Sequence, residues 1–178
     1  MVNKNKTLVV NLFAGPGAGK STGATYIFSK LKMNNVNAEY VGEFAKDLVW
    51  ENNVKSLDCQ FYVTGNQIYR IFRCCGEVDV VITDSPILLG VIYNDYGIDS
   101  SFNKAVIDEF QSYKNLNYFV VRDKPYNPAG RVQTEQEAGN IDVTIQNYLK
   151  SLDPNYSTIS GTVDGYDQVV KDVLALLK

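Results

Sequence analysis

Apolar residues fall along the chain in two alternating rhythms, short continuous runs and stretches of helical period. Leu8, Val9, Val10, Leu12 and Phe13 make the first run, which predicts a buried strand over Thr7–Phe13. Ala24, Ile27, Phe28 and Leu31 then recur at i, i+3, i+4 and i+7, one face of a helix. A second strand is predicted over Val36–Val41, a helix from about Glu43 to Trp50, and a longer helix from about Asp58 to Cys75 that sets Phe61, Ile68, Ile71, Phe72 and Cys75 on one face. Asp79–Thr83 reads as a third strand, after which Ser85 suits an N-cap and Pro86 the first position of a helix. A helix near Ser101–Tyr113 leads into a fourth strand, Asn117–Val121. The segment Arg122–Thr134, rich in Pro, Asn, Gly and charge, interrupts the rhythm before a helix from about Glu135 to Leu149. Tyr156–Ser160 is a last short strand, and Tyr166, Val169, Val170, Val173, Leu174 and Leu177 mark the closing helix. Strands alternating with helices predict an α/β fold, a parallel sheet covered on both faces with its functional crevice at the strands' carboxyl ends.

Composition narrows the chemistry. At 178 residues the chain fits one domain, 1–178. Its 17 Lys and Arg against 20 Asp and Glu give a net charge of −3, which offers no bulk attraction to nucleic acid or an anionic membrane. Met1–Lys6 is polar and no apolar run is long enough to span a bilayer, so a cytoplasmic protein is expected. The absence of histidine removes Ser-His-Asp hydrolysis and leaves proton transfer to carboxylates, lysine, tyrosine or water. Three cysteines, Cys59, Cys74 and Cys75, lack metal-site spacing and read as core or surface thiols.

The sharpest chemical signal lies between the first strand and the first helix. Ala14-Gly15-Pro16-Gly17-Ala18-Gly19-Lys20-Ser21-Thr22 is a phosphate-cradling loop with Ala14 where the usual signature has glycine. Backbone N–H groups of Gly15, Gly17, Ala18, Gly19, Lys20, Ser21 and Thr22 would converge on a triphosphate together with the helix N-terminus. Lys20 would reach the β- and γ-phosphates of ATP, and the Ser21 hydroxyl would ligate Mg²⁺.

Three further strand ends carry charge. Asp84 follows an apolar strand and is a candidate Mg²⁺ ligand, directly or through water, as well as a group able to favour the next helix N-terminus. Glu43, past the second strand, is placed to take the proton of an acceptor hydroxyl, and equally to act on the helix macrodipole. Arg122, Lys124 and Arg131 bracket the Pro-containing segment, a lid of about 122–134 that would bring guanidinium groups to the transferring phosphoryl. Arg70 and Arg73 project from neighbouring points of the long helix, where they would clamp a phosphate or an acceptor. Tyr62 and Tyr69 share that helix and offer rings either to a base or to the core.

The stretches Asn11–Thr22, Gly42-Glu43-Phe44-Ala45-Lys46, Thr83-Asp84-Ser85-Pro86 and Lys124-Pro125-Tyr126-Asn127 with Gly130-Arg131 resemble the small P-loop proteins of bacterial viruses usually labelled AAA-type ATPases. These are similar in turn to the ribosylnicotinamide kinase domain of NAD-biosynthesis regulators and to deoxynucleoside and thymidylate kinases. Regulators of the ribosylnicotinamide type carry Asp-Thr-Asp-Pro at the place of Thr83–Pro86, so the acid here is moved by one position. The resemblance implies a P-loop NTPase, nucleoside/nucleotide-kinase-like, with five parallel strands ordered 2-3-1-4-5 and a lid after the fourth. It also implies that Glu43 binds or deprotonates the acceptor, that Arg131 contacts the phosphates, and that Val163 packs on adenine. The expected activity is ATP- and Mg²⁺-dependent phosphorylation of a hydroxyl on a nucleoside, nucleotide or similar small acceptor. Two other readings stand beside it: phosphorylation of 5-hydroxymethyl pyrimidine bases in viral DNA, which the charge does not favour, and a nucleotide-switched regulatory ATPase. Nothing in the chain indicates an oligomeric state.

Overall fold

The computed structural model describes residues 6–94, 100–123, 134–153 and 155–178. Its strands are β1 (Leu8–Phe13), β2 (Ala38–Val41), β3 (Val80–Thr83), β4 (Lys114–Val121) and β5 (Ser157–Ser160). They form one five-stranded sheet in the order β2-β3-β1-β4-β5 with every pairing parallel, the expected fold and strand order. All six residues of β1 are buried, since a central parallel strand has helices over both faces. Parallel neighbours need crossover helices. These are α1 (Lys20–Met33), α2 (Phe44–Trp50), a 3₁₀ turn (Val54–Asp58), α3 (Gln60–Phe72), α4 (Leu89–Ile92), α5 (Ser101–Gln111), α6 (Glu135–Leu152) and α7 (Val163–Leu176).

One face of the sheet is covered by α1 and α7, which touch each other. Tyr118 of β4 fixes α7 there, its buried hydroxyl donating to Asp172 at 2.8 Å. On the other face Phe13 meets Phe110 of α5 edge-on, with ring centroids 6.4 Å apart. Asn117 of β4 donates to Asp153 at the end of α6 at 2.7 Å. The buried Asn11 of β1 donates to the side-chain oxygens of Asn115 and Asn117, each at 2.9 Å, and Asn115 donates to the Phe110 carbonyl at 2.7 Å. A polar ladder thus crosses an otherwise apolar face.

Three local expectations are corrected. Ser85 and Pro86 do not start a helix. Thr83 Oγ1 accepts the Ser85 N–H at 3.1 Å, and i+3 bonds from Leu89 to Pro86 and from Gly90 to Ile87 wind a tight turn that buries Ile87 and Leu88 before α4 begins. The face of α3 is rotated from the expected one. Thr64, Gln67 and Ile71 are buried, whereas Phe61 is 62% exposed. The reason is polar: Gln67 is drawn inward to serve backbone groups described below. Finally, β4 begins three residues early, because Lys114 and Asn115 are polar yet pair with β1 in full register.

Candidate active site

The connection from β1 to α1 is built on left-handed glycines. Gly17 has φ 84° and Gly19 φ 102°, and Gly19 is itself the N-cap of α1. No side chain caps this helix and its first turn holds no acid, so its free N–H groups and positive dipole end are left for an external anion. Ser21 and Thr22 are exposed in that turn. Tyr166 of α7 supports the loop from beneath. Its hydroxyl donates to the Gly19 carbonyl at 3.1 Å, and a Cβ at Gly23 would come within 2.4 Å of its ring.

Lys20 lies folded back across the loop, its Nζ donating to the carbonyls of Ala14 at 2.6 Å and Gly15 at 3.0 Å. Burial lowers its pKa, against the opposing influence of Glu43, Asp84 and Asp142, with Arg122 lowering it further. Two cations therefore sit among three carboxylates. That surplus of negative charge suits a site where a divalent cation accompanies a triphosphate.

Glu43 is the N-cap residue of α2 and is held by its backbone neighbours rather than by its own side chain. Gln67 accepts the Phe44 N–H at 2.9 Å and donates to the Gly42 carbonyl at 3.4 Å, so one buried amide brackets Glu43 on both sides. Burial raises the pKa of Glu43, and Lys20 opposes the rise. Asp84, directly after β3, is only 3% exposed, and its Oδ1 has no hydrogen-bond partner. Tyr40 of β2 leans on the same carboxyl; burial first, then the charge and hydrogen bonding of Asp84, push its hydroxyl pKa upward. An orphaned buried carboxylate oxygen is costly unless something binds it. Among the described residues no group of three or more metal-binding side chains exists, so an ion here would draw on Ser21, Asp84 and phosphate oxygens, the usual manner for Mg²⁺.

Arg122, at the end of β4, faces the loop. It donates to the Pro16 carbonyl at 2.7 Å and to Asp142 of α6 at 2.9 Å, while Asp142 also accepts the Gly15 N–H. Asp123 accepts the Gly161 N–H at 3.1 Å, which ties the turn after β5 to the end of β4. A Cβ at Gly161 would lie 2.8 Å from the Ala18 carbonyl, so this turn lies against the phosphate loop, and the exposed Val163 follows it at the start of α7. Tyr93, after α4, belongs to the same neighbourhood: burial, Glu43 and Asp142 raise its pKa to about 12.

Lys20, Ser21, Glu43, Asp84 and Arg122 are thus brought to one edge of the sheet. Arg70 stands further along, paired with Asp47 and stacked 4.9 Å from the Phe44 ring centroid. Arg73 is exposed at the C-cap of α3 beside Cys74, beyond the turn that faces Phe44. Lys124 and Arg131 lie outside the described residues, as does the lid apart from Arg122, Asp123 and Thr134. Tyr62 meets Phe44 edge-on at 5.4 Å, whereas Tyr69 points outward. Sequence reasoning missed Asp142, Gln67, Tyr40, Tyr93 and Tyr166. Asp142 follows Ile141 on a helix of mixed polarity, and nothing local separates it from a solvated acid.

The Asp142 clip yields a measurable expectation. Asp142→Asn keeps an acceptor for Gly15 but removes a negative charge from beside Lys20 and releases one contact of Arg122. Nucleoside triphosphate binding, followed by titration calorimetry, is expected to tighten about 3–10-fold, while thermal stability falls by ~1 kcal/mol for the partly buried pair.

The comparisons agree with this geometry. The family described as an AAA domain matches residues 9–165, from β1 into the first turn of α7. No curated protein matches the chain significantly. No described helix is long and apolar enough to cross a membrane. With a five-stranded parallel sheet, a left-handed glycine loop at the end of its central strand and a match over most of its length, the chain belongs to this AAA-domain family of P-loop nucleotide-binding proteins.

Proposed function

We propose that the protein is a kinase that transfers the γ-phosphoryl group of ATP to the hydroxyl of a small nucleoside- or nucleotide-type acceptor. The observation that carries this reading is Glu43, a partly buried carboxyl with its pKa raised by burial, beside Lys20 and Asp84 at the mouth of the phosphate loop. An acid on the β2 side of the loop is placed to take the proton of an acceptor hydroxyl that approaches the γ-phosphate from there.

The roles follow from position. Backbone N–H groups from Gly17 to Thr22 hold the triphosphate, and Lys20 turns from the Ala14 and Gly15 carbonyls to the β- and γ-oxygens. Ser21 and Asp84 would hold Mg²⁺, which supplies charge neutralisation to the phosphates when bound. Glu43 takes the acceptor proton as the acceptor oxygen bonds to Pγ; the bond from Pγ to the β-bridging oxygen breaks and ADP leaves with its electron pair. Arg122, redirected from Pro16 and Asp142, adds positive charge at the phosphates.

The test is ADP release from ATP and Mg²⁺ with a panel of nucleosides and nucleotides, with product identified by mass. Acceptor-dependent ADP and a phosphorylated product are expected. Hydrolysis at one rate whatever acceptor is added overturns the reading in favour of an ATPase.

A further inference from the structure

We propose that α3 carries a self-association surface whose occupant is the α3 of a second copy of this chain, packed antiparallel about a two-fold axis. The inference does not depend on the kinase reading. It starts from the rotated face of α3. The helix buries Thr64, Gln67 and Ile71, while Phe61, Gly65, Ile68 and Phe72 form a separate stripe along its flank. Phe61 is 62% exposed, Phe72 36% and the neighbouring Tyr69 64%. A helix that draws polar side chains inward and leaves large apolar ones outside presents a surface for a partner.

The spacing of the stripe identifies the partner. Its members follow at intervals of four, three and four residues, the d-a-d-a order of a heptad seam. Read backwards, the intervals are the same. In an antiparallel pair with its axis between residues 66 and 67, Phe61 therefore faces the partner's Phe72, and Ile68 faces the partner's Gly65, each contact occurring twice. Large meets small at the centre. A Cβ at Gly65 would have no described atom within 4 Å, and beside it Thr64, Ile68, Phe102 and Val106 line an apolar hollow of about 150 Å³ between α3 and α5. That hollow is the hole for the partner's Ile68. The ends match in charge as well: the exposed Asp58 precedes α3 and the exposed Arg73 closes it, so antiparallel pairing brings each acid to the end where the partner's base stands. The exposed parts of Phe61, Tyr69 and Phe72 come to about 300 Å² per copy at ~200 Å² for each residue, over a third of the ~800 Å² a side of a standard interface. Gly65, Ile68 and Ala105 of α5 supply adjoining surface across the groove.

The experiment is sedimentation velocity of the full chain from ~1 to ~100 µM, where the natural protein is expected to pass from monomer to dimer. Gly65→Glu puts a charge into the centre of the seam twice and is expected to raise the dissociation constant about thirtyfold or more. The protomer should keep its fold, since glutamate favours a helix over glycine and the new Cβ meets no described atom. Circular dichroism and melting at ~1 µM, below the association range, verify this. Phe61→Ser, at an exposed position, is the second probe and should weaken association about tenfold. Arg73→Asp is expected to weaken it about three- to tenfold, and Asp58→Arg/Arg73→Asp to restore it, because the exchanged charges meet again only across an antiparallel pair. A natural chain that stays monomeric over the whole range leaves the stripe to a different partner and overturns the inference. So does an oligomer larger than a dimer, a dimer unmoved by both Gly65→Glu and Phe61→Ser, or a charge exchange that fails to recover what Arg73→Asp lost.

Discussion

Exchange of Glu43 for glutamine is expected to lower acceptor-dependent phosphoryl transfer about 10²–10⁴-fold, the range for loss of a positioned general base. ATP affinity is not expected to weaken, since the change removes a negative charge from the vicinity of Lys20. The same exchange is expected to raise the melting temperature at neutral pH. The carboxyl of Glu43 has a higher pKa in the folded protein than in the unfolded chain, because burial disfavours its charge. The folded state therefore holds the proton over a range where the unfolded chain has released it, and stability falls as pH rises through that range. Glutamine is neutral at every pH and does not suffer this loss. The gain in melting temperature should thus be present at pH 7 and vanish below the ordinary carboxylate range, where Glu43 is protonated in both states. Equal melting curves across pH, together with unaltered transfer, would falsify the role given to Glu43. Activity of the natural chain should, for the same reason, fall on the acid side at a pH above that of an ordinary glutamate.

The second large effect concerns the support of the loop and not its chemistry. Gly23→Ala places a methyl group 2.4–2.8 Å from ring atoms of Tyr166, where no real Cβ sits. The ring cannot retreat freely: it is 2% exposed, lies 6.1 Å from Tyr26 between centroids, and bonds the Gly19 carbonyl. Overpacking of this kind costs ~1–3 kcal/mol, or a fall in melting temperature of about 2–12 °C for a chain of this size. Displacement of Tyr166 also withdraws its hydroxyl from Gly19, so triphosphate affinity should drop with stability. Tyr166→Phe is the companion: it removes the hydroxyl bond and leaves the ring, and should weaken binding with a smaller loss of stability. If Gly23→Ala melts and binds like the natural chain, Tyr166 is no buttress.

The centre of the sheet was legible because β1 and β3 are buried along their whole length and read as largely apolar runs. β1, the phosphate loop and α1 follow from local pattern alone, and so do the positions of Glu43 and Asp84 after their strands. β4 was read short because Lys114 and Asn115 pair with β1 through backbone groups, to which polarity is blind. The buried face of α3 was misread for a related reason: Gln67 is buried for the backbone of Gly42 and Phe44, a demand set 25 and 23 residues away in sequence. Asp142 shows the limit most plainly. It meets Gly15 across 127 positions, a juxtaposition that only the closed fold creates.

The asparagine ladder across β1 and β4 has a bearing on the distance between the two halves of the nucleotide site. Parallel strands with apolar faces can slide past one another at little local cost, and a shift of one residue turns every side chain to the opposite side. Such a shift would carry Asn11 toward the side of Tyr118 and Val120 and bury an amide without partners. The ladder so acts as a vernier: by forbidding the neighbouring alignments it sets how far Pro16, three residues beyond the end of β1 at Phe13, stands from Arg122 at the tip of β4, and the 2.7 Å contact between them is its readout.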